Sequence, residues 1–228
     1  MNKKIILVTG SNRGIGLAAC KSLLHNGHHV IATSRRQDHK DQLLAELSPF
    51  GSVEYVQVDV QNEQSINDCF SLVESNHGRL DCLVNNAGIL YDHSVEQTSG
   101  AELTEVFQTN VLGPFLLSKA AIPLLKNSAA AKIINVTSQL GSLENSGPGF
   151  AAYRISKTAL NSLTRLLHHE LEGANIKAYS VCPGWVHTDM GGPQAPRTPA
   201  QGASSILYPF YNDVESGCYI QDGRRLYW

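Results

Sequence analysis

Along the chain, short apolar runs alternate with segments in which apolar residues recur every three or four positions. The runs are 5–8 (IILV), 29–34 (HVIATS), 53–60 (VEYVQVDV), 80–88 (LDCLVNNAG), 132–138 (KIINVTS), 176–184 (IKAYSVCPG) and 217–221 (GCYIQ). Several are continuous rather than alternating, the pattern of strands covered on both faces. Between them, segments such as GLAACKSLLHNG have helical spacing, here closed by the Asn26-Gly27 stop signal. Long helices are predicted over 100–126 and 151–172. This alternation predicts an α/β fold: a doubly wound, mostly parallel sheet of seven strands with helices on both faces. With no linker, repeat or low-complexity tract, residues 1–228 are expected to form a single domain. The Gly- and Pro-rich stretch 185–200 follows a strand's carboxyl end, where a long loop covers a ligand crevice.

Composition narrows the functional classes. A hydrophobic share of 42% supports a core without metals or disulfides, and a net charge of −2 offers no basic field for nucleic acid or an anionic membrane. Cys20, Cys69, Cys82, Cys182 and Cys218 form no C-x-x-C pair and sit in apolar surroundings, as expected of free thiols in a reducing compartment. The apolar run after Lys3-Lys4 breaks at Thr9-Gly10, too short for a signal peptide or a membrane span. A cytoplasmic protein with no membrane partner is the expectation. The nine histidines show no cluster with carboxylate or cysteine, and His168, His169 and Glu170 lack zinc-site spacing, so no metal site is expected.

The segment ILVTGSNRGIG runs from the first strand into the first helix and carries Gly10, Gly14 and Gly16. Glycines there permit a tight turn and let a pyrophosphate approach backbone N–H groups at the helix N-terminus, the arrangement of a Rossmann-type dinucleotide site. Ser11, Asn12, Arg13 and Ile15 complete the turn. No Gly-Lys-Ser/Thr follows, which excludes a Walker A loop. At the end of the second strand an NAD-binding unit usually places Asp or Glu. This chain offers Thr33, Ser34, Arg35 and Arg36. A guanidinium suits a 2′-phosphate, and Arg13 could approach the same group, so NADP(H) is preferred over NAD(H). Solvated surface arginines are the alternative, and Asp38 could reach the ribose after a small register shift.

With LVNNAG (83–88), QTNVLGPF (108–115), INVTS (134–138), YRISK (153–157) and CPGWVHTDM (182–190), the chain resembles the short-chain dehydrogenase/reductase family over nearly its whole length. Within it, PGWVHTDMGGPQAP and the C-terminal DGRRLYW look closest to the carbonyl reductase-like and C-factor/sniffer proteins. The resemblance implies that Asp59 and Val60 meet the adenine and that Asn86, Ala87 and Gly88 lie along the cofactor. It implies that Pro183, Gly184, Val186 and Thr188 embrace the nicotinamide, and that Asn110, Ser138, Tyr153 and Lys157 form the catalytic group. It also implies a homodimer or homotetramer built on the two long helices. Two departures stand out: the Ser138–Tyr153 interval is longer than the commonest family spacing, and the stretch after Thr188 is short.

Tyr153 and Lys157, at i and i+4, share one helix face. A phenol of pKa about 10 is a poor acid–base catalyst unless its anion is stabilised, and a nearby ammonium does this. Lys157 is therefore expected to lower the Tyr153 pKa and to hold a ribose. Ser138 is expected to bond the substrate carbonyl, and Asn110, by the resemblance, a water chain. Ala152, Ile155, Ala159, Leu163 and Leu167 read as the apolar stripe of this helix, with Tyr153, Lys157, Asn161 and Thr164 as a polar row beside it. The functional expectation is an NADP(H)-dependent oxidoreductase with Tyr153 as acid/base, acting on a small or medium carbonyl or alcohol. Tyr91, Phe150 and Trp185 near the site suggest an apolar or aromatic substrate. The rival is an NADP-binding redox-sensing or signalling protein with little turnover; an epimerase or dehydratase would need acid–base groups not found here.

Overall fold

Backbone N–H and C=O groups in strands buried on both faces have no water to bond, so the apolar runs must pair with one another. The computed structural model, which describes residues 3–228, pairs them in one eight-stranded sheet. The strands are β1 (Ile5–Val8), β2 (His29–Ser34), β3 (Val53–Gln57), β4 (Cys82–Asn85), β5 (Ala131–Val136), β6 (Ile176–Val181), β7 (Tyr219–Gln221) and β8 (Arg224–Arg225). Their order is β3-β2-β1-β4-β5-β6-β7-β8, parallel throughout except for β8 on β7. The order reverses between β1 and β4, and there the carboxyl ends open a crevice.

Helices cover both faces. On one side α1 (Gly14–His25), α2 (Lys40–Leu47), α7 (Pro199–Ile206) and α8 (Tyr208–Tyr211) pack on Ile6, Val8, Val30 and Tyr179. On the other, α3 (Glu63–His77), α5 (Gly113–Lys126) and α6 (Ala151–Leu171) pack on Leu7, Ile31, Leu83 and Ile133. Helix α4 (Gly100–Phe107) opens with a capping box between Ser99 and Glu102.

Three expectations need correction. The sheet has eight strands rather than seven, because the exposed Arg224–Arg225 pair folds back through the Asp222-Gly223 turn and carries no apolar signal. The helix expected over 100–126 is interrupted at Gln108–Leu112 by a π-helical turn, a local widening that recurs at functional sites. The third concerns α6, whose buried face takes in the polar row as well as Ala152, Leu163 and Leu167 of the apolar stripe. Tyr153, Lys157, Asn161 and Thr164 are all buried, whereas Ile155 is 51% exposed. The reason is local: β5, the turn after it and β6 offer polar partners that those side chains reach. Asn161 Nδ2 donates to the Gly141 carbonyl (3.1 Å), Asn135 Nδ2 to Thr164 Oγ1 (2.9 Å), and Ser180 Oγ to Thr164 Oγ1 (2.8 Å).

Candidate active site

The β1–α1 turn forms because Gly10 and Gly14 take left-handed backbone angles, φ +65° and +56°. Gly16 lies so close beneath it that a Cβ would sit 2.2 Å from the Gly10 carbonyl oxygen. Ser11 is buried as a strut: its hydroxyl donates to the Val8 carbonyl and accepts the Thr33 N–H. Asn86 closes the turn from β4 by donating Nδ2 to the Thr9 and Gly10 carbonyls. The α1 N-terminus has no side-chain cap and no acidic residue in its first turn, so its N–H groups face the crevice unpartnered.

A cavity of about 770 Å³ runs across the carboxyl ends of the strands. Of the residues expected at a cofactor or catalytic site, it is lined by Gly10, Asn12, Arg13, Gly14, Ile15, Arg35, Asp59, Val60, Asn86, Ala87, Gly88, Tyr153, Lys157, Pro183 and Thr188. Arg36 points away: its guanidinium grips Asp38 through Nε (3.0 Å) and Nη2, which neutralises both. Arg35, beside the cavity, has no such partner among the described residues. Gly184 and Val186 shape the wall from behind, Gly184 at φ +77° against Arg197 and Val186 against Gly202. The side chains of Asp189 and Arg13 form an ion pair across the cavity mouth, both well exposed.

At the inner end, Lys157 Nζ donates to the Val136 carbonyl (2.8 Å) and lies 5.4 Å from the Tyr153 ring centre. Ser138 caps the short turn 139–141 by accepting the Leu140 N–H, and its hydroxyl also meets the Tyr153 phenol. Tyr219 anchors this corner by donating to the Ser138 carbonyl (2.6 Å). Asn110, on the π-helical turn, exchanges two bonds with Ile89: its Oδ1 accepts the Ile89 N–H and its Nδ2 donates to the Ile89 carbonyl, both 2.9 Å. Its other amide hydrogen goes to Ser156 Oγ (3.1 Å). Asn110 thus braces the irregular segment after β4, with Gly88 leaving room between it and Lys157.

The electrostatics differ from expectation. Burial pushes the Tyr153 phenol up, the Ser138 bond pulls it partly back, and the Cys182 side chain adds a smaller upward push. Lys157 does not depress it, because its ammonium is turned to the Val136 carbonyl and is itself desolvated. Tyr153 is therefore held in its protonated, neutral form. The aromatic residues also lie elsewhere: Tyr91 donates to Glu105 Oε2 (2.7 Å), Trp185 Nε1 to the Gly191 carbonyl (2.7 Å), and neither they nor Phe150 line the cavity. Ile89, Thr137, His187 and Met190 line it instead. They were missed because strand-end and loop residues carry no periodicity.

A sheet with a topological switch, a glycine turn on an uncapped helix and a Tyr–Lys–Ser corner together define a nucleotide-dependent oxidoreductase fold. The short chain dehydrogenase family model matches residues 4–198, and the chain belongs to that family. It is 35% identical over 191 residues to cyclopentanol dehydrogenase from Comamonas sp. (strain NCIMB 9872), covering 83% of this chain and 76% of that protein. Two solved structures superpose over the whole of both chains. One is NADPH-bound carbonyl reductase from chicken fatty liver, 30% identical with a TM-score of 0.92. The other is the carbonyl reductase Sniffer of D. melanogaster, 31% identical with a TM-score of 0.89.

Desolvation of Lys157 predicts a pH-dependent stability. Burial brings its ammonium from 10.5 down to about 8. Between these values the unfolded chain holds the proton that the folded chain has lost, so stability rises with pH across that window. Below pH 8 the buried charge costs up to about 3 kcal/mol, which its bond to Val136 does not recover. Lys157→Met is expected to stabilise the fold by about 1–3 kcal/mol at pH 7 and by little at pH 10.5. Urea denaturation at the two pH values checks this, and a constant difference would show that the ammonium is not desolvated.

Proposed function

We propose that this protein is an NADP(H)-dependent carbonyl reductase, the whole chain forming one domain that reduces a small or medium ketone, aldehyde or quinone. The observation that carries the reading is the joining, in one cavity, of an uncapped glycine turn and the free Arg35 with the buried Tyr153 phenol. The residues present fit the cofactor. Gly10, Gly14 and the α1 N–H groups would hold the pyrophosphate, Arg35 the 2′-phosphate, with Arg13 joining it once released from Asp189, and Asp59 and Val60 the adenine. Lys157 would bond the nicotinamide ribose, with Thr188 and Pro183 beside the ring. When bound, NADPH supplies the hydride. The likeness to NADPH-bound chicken carbonyl reductase supports the cofactor choice.

Within this reading, Ser138 donates to the substrate carbonyl oxygen and holds it at the phenol. Tyr153, neutral because burial disfavours its anion, passes its proton to that oxygen as negative charge develops there. Lys157, an ammonium for most of the population below pH 8, stays on the Val136 carbonyl, and a solvent proton then returns to the phenolate. Asn110 acts by fixing the Ile89 backbone at the cavity wall. With Tyr91, Phe150 and Trp185 absent from the lining, its apolar contacts near Tyr153 include the aliphatic Ile89, Val136, Pro183 and Met190, which favours aliphatic as well as aromatic substrates.

Helices α4 and α6 leave an apolar groove of about 560 Å³ facing outward, with Phe115 49% and Leu166 55% exposed. Isolated exposed apolar residues are ordinary, but a contiguous groove of this kind fits a second copy of the chain. A homodimer or homotetramer is therefore part of the proposal.

Three measurements test these statements. Tyr153→Phe is expected to lower NADPH-dependent reduction of a quinone and aldehyde panel at least ~100-fold while leaving NADPH affinity within about threefold; equal turnover would overturn the proton-donor role. Arg35→Asp is expected to weaken NADPH about 10- to 100-fold more than NADH, and Arg36→Ala to change neither, by titration of cofactor binding. Equal losses for both cofactors would remove the 2′-phosphate assignment. Light scattering is expected to give a dimer or tetramer for the native chain and a smaller species for Phe115→Asp.

A further inference from the structure

At the amino ends of the strands, on the edge of the sheet away from the crevice, three ligand-type side chains converge. His29 begins β2, Glu54 is the second residue of β3, and His77 ends α3. In the parallel register Glu54 pairs with Ile31, so His29 and Glu54 share the sheet face on which α3 packs. Their ligand atoms all lie within 4.8 Å of one another. The expectation that no histidine joins a carboxylate is thus corrected: the three residues are 25 and 23 positions apart, and β2–β3 pairing together with the packing of α3 on the sheet unites them.

The cluster is incomplete as a hydrogen-bonded group. His77 Nε2 meets Glu54 Oε1 at 2.8 Å, whereas His29 Nε2 stands 3.8 Å from the same oxygen, buried and without a hydrogen-bond partner. His29 Nδ1 is bound to Ser52 Oγ at 2.7 Å. With Nδ1–H donating to that hydroxyl, the Nε2 lone pair faces a carboxylate, two acceptors directed at one point. A cation resolves that mismatch. The hydroxyl on Nδ1 also resembles the outer-shell partner that fixes the tautomer of a metal-bound histidine. In a tetrahedral zinc site with bonds of about 2.0–2.1 Å, ligand atoms lie about 3.3 Å apart. The two measured distances to Glu54 bracket that value, so small side-chain rotations of opposite sense would reach it.

We propose that His29, Glu54 and His77 bind a divalent transition metal of the zinc class, with water in the fourth position. Two imidazoles and one carboxylate suit zinc, copper or nickel and not magnesium. The side chains are 12%, 26% and 17% exposed, open enough for entry yet desolvated enough to favour the ion. The metal staples β2, β3 and the end of α3. It lies on the order of 15 Å from the cavity, the length of β2, so it stabilises this edge of the nucleotide-binding half without entering the chemistry.

Untagged, chelator-stripped protein titrated calorimetrically with zinc chloride tests this. One zinc per chain is expected, at micromolar or tighter affinity, and no heat from magnesium chloride. Glu54→Gln, which keeps the side-chain shape, and His77→Gln are each expected to weaken zinc at least tenfold, while His168→Gln leaves it unchanged. Zinc at a hundredfold excess over Kd is expected to raise Tm by about 5–10 °C in the native chain and not in Glu54→Gln. Cobalt(II) is expected to give a tetrahedral visible spectrum that disappears in His77→Gln. Zinc binding equal in native and Glu54→Gln proteins, or no uptake at 100-fold excess over the chain, overturns the proposal and leaves the trio as a hydrogen-bonded ion pair.

Discussion

The hydrogen bond from Lys157 to the Val136 carbonyl joins α6 to β5, and the candidate site depends on it. An ammonium removed from water needs strong compensation, and here it is given a backbone acceptor at the carboxyl end of a central strand. That bond fixes the azimuth of α6. With Lys157 inward, Tyr153 is one turn away on the same face, beside the Ser138 hydroxyl, and Asn161 and Thr164 fall into line to bond the turn after β5 and the sheet. The polar row extends across the sheet interior: Asn85 Nδ2 donates to Asn135 Oδ1, whose own Nδ2 donates to Thr164. Each bond broken in this buried network would leave a further unpaired group beside Asn85 Oδ1 and Asn161 Oδ1, which have no partner among the described residues, so the row is held in one arrangement.

That rigidity separates two roles within one cavity. The glycine turn and the α1 N-terminus present fixed donors and a favourable dipole to an anion. The inner corner does the opposite, excluding water so that a phenol keeps its proton and an ammonium is eager to lose its own. The Tyr153 environment favours the protonated phenol over its anion, which burial disfavours. Between the two regions, Asn110 on its π-helical turn holds the irregular segment after β4 in place at Ile89. At the mouth, Arg36 is spent on Asp38, and Arg35 is left as the basic group beside the ribose end.

Much of this was legible in order along the chain. Apolar runs marked seven of the eight strands because strands buried in a sheet demand apolar residues, and the glycine turn was legible because glycine takes its backbone angles without strain. The Tyr153–Lys157 pair followed from helical spacing alone. The α6 stripe was legible only in part for a physical reason: periodicity finds Ala152, Leu163 and Leu167, which are buried, but not the polar row, which is buried beside them because other elements supply its partners. The same blindness hid the π-helical turn, the diversion of Arg36, and the displacement of Tyr91, Phe150 and Trp185, each set by a partner distant in sequence or by a loop path.

The sequence by itself determined the alternation of strands and helices, the anion-binding turn and the presence of a tyrosine one turn from a lysine, since these depend on local backbone geometry and i, i+4 spacing. Only the tertiary structure decided that this pair faces inward, that Tyr153 is held neutral rather than ionised, which of two adjacent arginines is free, and that His29, Glu54 and His77 meet. Those outcomes depend on desolvation and on pairing across the sheet, and neither is a property of any segment alone.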